Sequence, residues 1–326
     1  MNKSINHKKI LVFLNDAGST NYICSIILNE IKFFNWKIFA IPNSPASKKL
    51  EQNQIIYKKF SLLNEINNII KKQKPDIVLY GTGWLNFGSI INTNAKIYDF
   101  KTIALVDHWT SYHERFDKKF FPDAILVMDD IAYQKARKTF KSKSKILKIK
   151  NYYLDEIKSD FFSRKKNKKN HIVFLSEPEV ANKDNKNIFE YTLLEDILKM
   201  FDRVIIRLHP KELKNKYLDI ISNFPKKKIV IVDPYKETLG KTLSKSKLSI
   251  GFQSTALYFS YLLGINTISI LTNKSLMKNI PLPKKYILNN LKYLKNFNFS
   301  NKKPKKFNKK SVSFHESIKF LIRRNN

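Results

Sequence analysis

Short apolar runs alternate with amphipathic stretches along the first half of the chain. Runs that fit buried strands lie at residues 9–14, 37–41, 77–80, 102–106 and 123–128. Amphipathic stretches predict helices at 20–33, at 61–72 and from residue 130 onward. Apolar runs of about 4–8 residues indicate strands that helices cover on both faces. The alternation therefore predicts an α/β fold built on a parallel, doubly wound sheet.

A second series of the same kind follows a lysine-rich polar stretch at 159–170, which we interpret as a linker. Its predicted strands are 171–175, 203–208, 228–233, 247–252 and 266–271, and its predicted helices are 188–201 and 254–263. We therefore predict two Rossmann-like domains, residues 1–164 and 165–326, that face each other across a cleft. The amphipathic C-terminal stretch HESIKFLIRR fits either packing on the body or lying on a membrane surface.

The composition is that of a globular protein with a large excess of positive charge. The chain has 326 residues, is 43% hydrophobic and carries a formal net charge of +34. Such a charge is typical of proteins that bind nucleic acid or acidic membranes, but lysines spread over solvated faces give the same total. Nucleic acid is not an expected partner, because the sequence contains no zinc-finger or RNP1-like motif.

The sequence also bears on the compartment. Cys24 is the only cysteine, which excludes an intramolecular disulfide and is typical of a reducing cytoplasm. The first apolar run is too short for a signal peptide, and Gly264 and Asn266 interrupt the apolar region 255–271. We expect a cytoplasmic protein with Cys24 in its core. Peripheral attachment at the inner face of the cytoplasmic membrane stays open.

Polar residues follow two predicted strands of the second half, at the point where each strand ends. One group comprises Arg207, His209, Pro210 and Lys211, and the other comprises Ser254 and Thr255 after Gly251. In an open α/β sheet, ligands bind beyond the carboxyl ends of the strands, where helix N-termini offer unpaired N–H groups. A nucleotide phosphate is therefore the first ligand that we predict. Further contacts to the nucleotide are predicted for Ser176, Glu177 and Asp233, which follow two other strands.

The strand ends of the first half carry candidate catalytic and acceptor-binding groups. Asp16 follows the first strand and Asp107 follows another, so each is a candidate general base. The predicted acceptor-binding residues lie in the same loops and comprise Gly18, Asn21, Gly83, Trp84, His108, Trp109, Tyr112 and Arg115. An ordinary βα turn with Ser19 or Thr20 as N-cap is the alternative for the first loop. We interpret Asp129-Asp130 as a helix cap, and no metal site is predicted.

The strand exit Arg207-Leu208-His209-Pro210 and the helix start Gly251-x-x-Ser254-Thr255 together resemble the carboxyl-terminal half of GT-B glycosyltransferases. The resemblance is to bacterial sialyltransferases and related nonulosonic-acid or Kdo transferases. It implies that His209, Ser254 and Thr255 hold the phosphate of a CMP-sugar donor. It also implies inverting, metal-independent transfer to a glycan or glycolipid hydroxyl in cell-surface polysaccharide biosynthesis, with no cofactor. The first half departs from the family, because it lacks a D/E-D/E-G motif.

Other functions stay open at this point. A UDP- or CDP-dependent transferase of a sugar or polyol phosphate, or a GT-B-like sugar epimerase, fits the same architecture. A non-catalytic basic protein that binds lipid or nucleic acid fits the charge alone.

Overall fold

The computed structural model describes residues 8–61, 63–83, 85, 87–116, 119–140, 143–164, 170–177, 186–271, 280–296 and 312–322. The chain divides into two compact units. Unit 1 comprises Met1–Tyr153 and Asn308–Asn326, and unit 2 comprises Leu154–Phe307. Within the described ranges, no helix is long and apolar enough to cross a membrane.

Strands and helices alternate along both units. The strands are β1 Lys8–Leu14, β2 Phe34–Ala40, β3 Lys58–Lys59, β4 Ile77–Gly81, β5 Lys101–Leu105, β6 Ala124–Val127, β7 Lys145–Lys148, β8 His171–Leu175, β9 Arg203–Arg207, β10 Lys228–Val232, β11 Ser246–Gly251, β12 Asn266–Ile270 and β13 Ile287–Leu288. The helices are α1 Ala17–Glu30, α2 Pro45–Gln52, α3 Glu65–Gln73, α4 Phe87–Tyr98, α5 Asp130–Phe140, α6 Tyr152–Ser163, α7 Lys186–Met200, α8 Leu218–Ser222, α9 Leu239–Ser244, α10 Thr255–Leu262 and α11 Phe314–Ile322.

The sheet of unit 1 is parallel and has the order β3-β2-β1-β4-β5-β6-β7 among the described strands. The central strand β1 is apolar, and its residues from Ile10 to Leu14 are fully buried. In register, Val12 of β1 lies between Ile38 of β2 and Leu79 of β4. The chain order reverses between β1 and β4, so this pair is the switch point at which such sheets bind ligands.

Unit 2 repeats this arrangement with the order β10-β9-β8-β11-β12-β13. The buried Phe174 of β8 pairs with Ile206 of β9 on one side and Ile250 of β11 on the other. Its switch point is therefore the β8–β11 pair. Two parallel-sheet, Rossmann-like units confirm the predicted fold class.

The boundary between the units differs from the predicted one. The stretch 159–170 was expected to be a linker, but its first residues belong to helix α6. This helix packs closely on α9, since a Cβ atom added to Gly240 would lie 2.5 Å from the carbonyl oxygen of Ile157. The apolar residues Ile157 and Phe161 are buried there. The units consequently meet in sequence at Tyr153–Leu154, not at residues 164–165.

The C-terminal helix α11 packs on unit 1. This is the first of the two alternatives that the sequence left open for this amphipathic stretch. Phe314 is fully buried and lies edge-on to Phe34, with 5.6 Å between the ring centroids. The buried carboxylate of Glu30 accepts hydrogen bonds from the Phe314 N–H at 3.1 Å and from the Tyr152 hydroxyl. His315 Nδ1 lies 2.8 Å from the same carboxylate. Residues 312–322 thus complete the core of unit 1.

We expect Phe314→Ala to lower the free energy of unfolding by about 3–5 kcal/mol, because it removes a buried ring and leaves a cavity. Urea denaturation measures this change. Phe320→Ala on the same helix is the matched control, since Phe320 is 59% exposed. It should change the free energy of unfolding by less than about 0.5 kcal/mol. Equal effects of the two substitutions would contradict the placement of α11.

Candidate functional site

Three predicted groups of unit 2 come together at its switch point. Ser176 and Glu177 follow β8, His209 follows β9, and Ser254 precedes α10 after β11. Because β9, β8 and β11 are neighbours in the sheet, their carboxyl ends lie side by side. The hydrogen bonds between these loops show the convergence directly.

Glu212 joins the ends of β8 and β9. The backbone N–H of His209 donates to Glu212 Oε2 at 2.6 Å, and the Ser176 hydroxyl is hydrogen-bonded to the same carboxylate. The His209 N–H also lies 3.1 Å from Ser176 Oγ. Glu212 therefore fixes the His209 loop against the β8 end. Glu212 is not among the residues predicted from the sequence, although its spacing from Lys216 is that of an i,i+4 ion pair.

Glu177 joins the end of β8 to the loop between β11 and α10. Its carboxylate accepts hydrogen bonds from the backbone N–H groups of Gln253 and Ser254. Ser254 in turn caps α10, because its hydroxyl oxygen accepts the N–H of Leu257 at 3.2 Å. Glu177 and Glu212 together hold the three loops in one place.

Contacts of the His209 ring favour one tautomer. His209 Nδ1 accepts the backbone N–H of Lys211 at 3.2 Å. In the neutral imidazole the proton is then on Nε2, which makes Nε2 a hydrogen-bond donor. The loop is held further by the Tyr235 hydroxyl, which donates to the carbonyl of Pro210 at 3.0 Å. Asp233 accepts the Tyr235 N–H at 2.9 Å, so Asp233 shapes this loop.

Arg207 was predicted to bind the nucleotide phosphate, but its guanidinium group has partners within the protein. Its guanidinium NH1 donates to Thr242 Oγ1 at 2.7 Å and to the carbonyl of Glu237 at 3.0 Å. The side chain is buried between β9 and α9. NH1 of Arg207 thus forms hydrogen bonds within unit 2.

Three carboxylates and one lysine form a buried cluster beside the loops. Lys216 Nζ lies 2.7 Å from Glu190 Oε2 and is also paired with Glu212. Although burial acts to lower the pKa of Lys216, the two carboxylates raise it above its usual value. Desolvation raises the pKa of Glu177 to about 7, and the nearby Glu190 and Glu212 act in the same direction. Tyr217 completes the cluster by donating to Glu190 Oε1 at 2.7 Å.

The switch point of unit 1 brings together Asp16 and Asp107. A Cβ atom on Gly83 would lie 1.5 Å from Asp16 Oδ2, and one on Gly18 would lie 2.0 Å from Asp107 Oδ2. Both glycines therefore leave room for a carboxylate. Asp16 is the N-cap residue of α1, and Ser19 and Thr20 lie inside the helix, so the predicted alternative N-caps are wrong. The two candidate bases share one edge of the sheet.

Arg115 fixes one of these carboxylates. Its NH1 lies 2.9 Å from Asp107 Oδ1 and donates to the carbonyl of Thr82 at 2.7 Å. Thr82 was not selected from the sequence, although it lies between the two glycines Gly81 and Gly83. Arg115, predicted to bind acceptor, thus orients Asp107 in this structure.

Two aromatic residues that were predicted to bind the acceptor, Trp109 and Tyr112, lie in the core of unit 1. Trp109 is 4% exposed and donates through Nε1 to Asp129 Oδ2 at 2.8 Å, and Tyr112 is 6% exposed against Phe140. Their burial under α5 corrects the expectation that they line an acceptor site. Asp129 also accepts the N–H of Ala132 at 2.7 Å, which confirms its capping role.

The remaining predicted acceptor residues have local contacts. Asn21 lies in α1, where its carbonyl accepts the Ser25 hydroxyl at 3.0 Å. His108 Nδ1 lies 2.9 Å from Thr110 Oγ1. Trp84 lies outside the described residues. A role of Asn21 and His108 in acceptor binding stays a prediction.

Comparison with known proteins relates this geometry to solved structures. No protein-family model matches the chain, and no curated protein matches it. The structure of Methanocaldococcus jannaschii UDP-GlcNAc 2-epimerase with UDP-GlcNAc and UDP is 16% identical, covers 97% of this chain and 99% of its own, and has a TM-score of 0.67. A UDP-N-acetylglucosamine 2-epimerase structure from Listeria monocytogenes is 13% identical over 82% of this chain and 80% of its own, with a TM-score of 0.62.

A third similar structure is that of Anabaena HepE with UDP and glucose. It is 11% identical over 81% of each chain, with a TM-score of 0.52. The chain has the GT-B fold. At these identities, the likeness establishes the fold and not the activity.

We expect the stability of the protein to fall as the pH rises from about 4.5 to about 7. The folded protein keeps the Glu177 proton over this window, whereas the unfolded chain releases it, so the unfolded state binds fewer protons. The contribution of Glu177 has a slope of up to about 1.4 kcal/mol per pH unit and ends above pH 7. Urea denaturation of the wild type and Glu177→Gln across this range measures it.

The substituted protein should lack this component of the slope. Glu195→Gln is the control, since Glu195 lies exposed on α7. Parallel curves for the wild type and Glu177→Gln would contradict the retained proton.

Proposed function

We propose that this protein is an enzyme that acts on a nucleotide sugar and that unit 2 binds the nucleotide phosphate. The observation that carries the proposal is the convergence of His209 and the Ser254-Thr255 helix start at one switch point. Their loops are hydrogen-bonded through Glu212 and Glu177. A helix N-terminus and a histidine donor suit a phosphate group. The UDP-bound neighbours of the same fold support this choice of ligand.

These donors also suit a reaction in which the nucleotide leaves the sugar. Negative charge grows on the phosphate oxygen as the glycosidic bond breaks. The Nε2–H of His209 and the N-terminus of α10 would stabilise that charge. His209 is thus the residue that we assign to the leaving group.

We assign the reaction to epimerisation at C2 of a UDP-sugar such as UDP-N-acetylglucosamine. In this reaction the C2 proton and the nucleotide leave the sugar together, which gives a C1=C2 double bond. A proton then adds to the opposite face of C2 as the nucleotide oxygen bonds again to C1, so two proton-transfer groups are needed. Unit 1 offers two carboxylates at one sheet edge, Asp16 and Asp107, with glycines that leave room for them. Solved structures of this fold that carry the name UDP-GlcNAc 2-epimerase support this reaction above transfer.

CMP-dependent transfer of an acidic sugar is the second candidate. The His209-Pro210 and Ser254-Thr255 pairs that resemble sialyltransferase motifs do lie in joined loops, which favours it. This reaction needs one base, and either Asp16 or Asp107 would serve for deprotonating the acceptor hydroxyl. Attachment to an acidic membrane surface remains a prediction that fits either enzyme.

Incubation with UDP-N-acetylglucosamine in D2O tests the proposal. We expect the C2 epimer to form with deuterium at C2, because a proton held by a carboxylate exchanges with solvent. NMR of the recovered nucleotide sugar measures both. Release of CMP from a CMP-linked acidic sugar, with no change in the UDP-sugar, would favour the second candidate. No conversion of either donor would contradict the proposed function.

His209→Gln tests the leaving-group assignment within the same assay. We expect turnover to fall by about 10²–10³-fold, because one donor to the developing charge is weakened. Lys199→Gln is the control, since this side chain is 62% exposed on α7 and pairs with Glu195 and Asp196 of the same helix. Unchanged turnover of the His209 variant would remove this residue from the mechanism.

A further inference from the structure

The loops that form the proposed phosphate site contain an excess of negative charge. Glu177, Glu190 and Glu212 lie together, and Lys216 is the cation paired with the last two. If all three carboxylates were ionised, the cluster would carry a net charge of about −2 beside the place of a bound phosphate. Like charges brought close together disfavour ionisation of one of them.

In this cluster, ionisation of Glu177 is disfavoured. Its partners are the backbone N–H groups of Gln253 and Ser254, at the start of α10. Those N–H groups are donors that a phosphate at this helix start would also use. Glu190 and Glu212 instead are each paired directly with the Lys216 ammonium group. A phosphate that binds here would therefore be repelled by an ionised Glu177 and would compete with it for the same N–H groups.

We propose that binding of a nucleotide phosphate to unit 2 is coupled to the uptake of one proton by Glu177. The inference rests on the proposed function, because it assigns a regulatory role to a residue of the same site. The proton comes from solvent and goes to the Glu177 carboxylate, and no other bond changes. The resulting carboxylic acid is a donor, so it removes the repulsion and can hydrogen-bond to a phosphate oxygen.

A test must distinguish protonation of Glu177 from protonation of the groups around it. Among the residues that the structure describes, the charged and titratable groups that face it are Glu190 of α7, with Glu212, Lys216 and Tyr217 after β9. Lys216 donates to the Glu177 carbonyl at 3.2 Å, so it also fixes this loop. His209 lies in the adjacent loop and is a second group that can accept a proton. The burial that holds the pKa of Glu177 near 7 places its proton uptake at neutral to mildly alkaline pH.

Isothermal titration calorimetry with UDP-N-acetylglucosamine tests the coupling. This ligand has no phosphate monoester, so its own titration near neutral pH does not contribute. Titrations at pH 8 in two buffers of different ionisation enthalpy give the number of protons taken up. We expect the wild type to take up close to one proton and its affinity to fall up to about tenfold per pH unit above pH 7.

Glu177→Gln should bind with no proton uptake and with an affinity that is independent of pH over this range. Where His209→Gln still binds the nucleotide sugar, each bound ligand should bring the same proton uptake, and Glu195→Gln on α7 should behave as the wild type. Uptake that persists in Glu177→Gln, or that is lost in a His209→Gln protein that binds the ligand, overturns the proposal.

The wild-type titrations decide the matter even where Glu177→Gln fails to fold. Binding of the nucleotide sugar without proton uptake overturns the inference and leaves the proposed function standing. Absence of binding at every pH overturns the proposed function and the inference with it.

Discussion

The carboxylate bridges at the switch point of unit 2 are the interactions on which the site depends. Glu212 binds the backbone of His209 and the hydroxyl of Ser176, and Glu177 binds the backbone before α10. Without these bridges, no side chain would hold the loops after β8, β9 and β11 in fixed positions relative to one another. Backbone N–H groups at the edge of a sheet must find partners, and here acidic side chains provide them. The cost is a buried excess of negative charge, which Lys216 offsets in part.

In unit 1, glycines and not carboxylate bridges position the functional side chains. Asp16 and Asp107 reach the same sheet edge because Gly18 and Gly83 have no side chains there. Arg115 then fixes Asp107 by pairing with it and with the Thr82 carbonyl. Two carboxylates held at one edge offer more proton-transfer chemistry than transfer to an acceptor hydroxyl requires. That excess is the reason for proposing epimerisation ahead of transfer.

Much of the architecture could be predicted from the sequence, because apolar runs at the centre of a parallel sheet are unmistakable. The strands predicted at 171–175 and 203–208 illustrate this, since both are present to within one residue. The role of His209, which follows the second strand, stays a prediction. Short or half-exposed elements gave no such pattern, so β7 and α9 were not predicted. Trp109 was misplaced because a polar loop sequence does not reveal that α5 covers it. Glu212 and Glu190 were not selected, since a buried charge paired by tertiary contacts resembles a surface charge in sequence.

We propose that His209 and the helix start at Ser254-Thr255 bind one phosphate, and a crystal structure of the protein with UDP bound tests this most directly. We expect a phosphate oxygen within hydrogen-bonding distance of His209 Nε2 and of a backbone N–H between Gln253 and Thr255. A nucleotide whose phosphates lie on other residues, with neither of these contacts, would rule out this phosphate site.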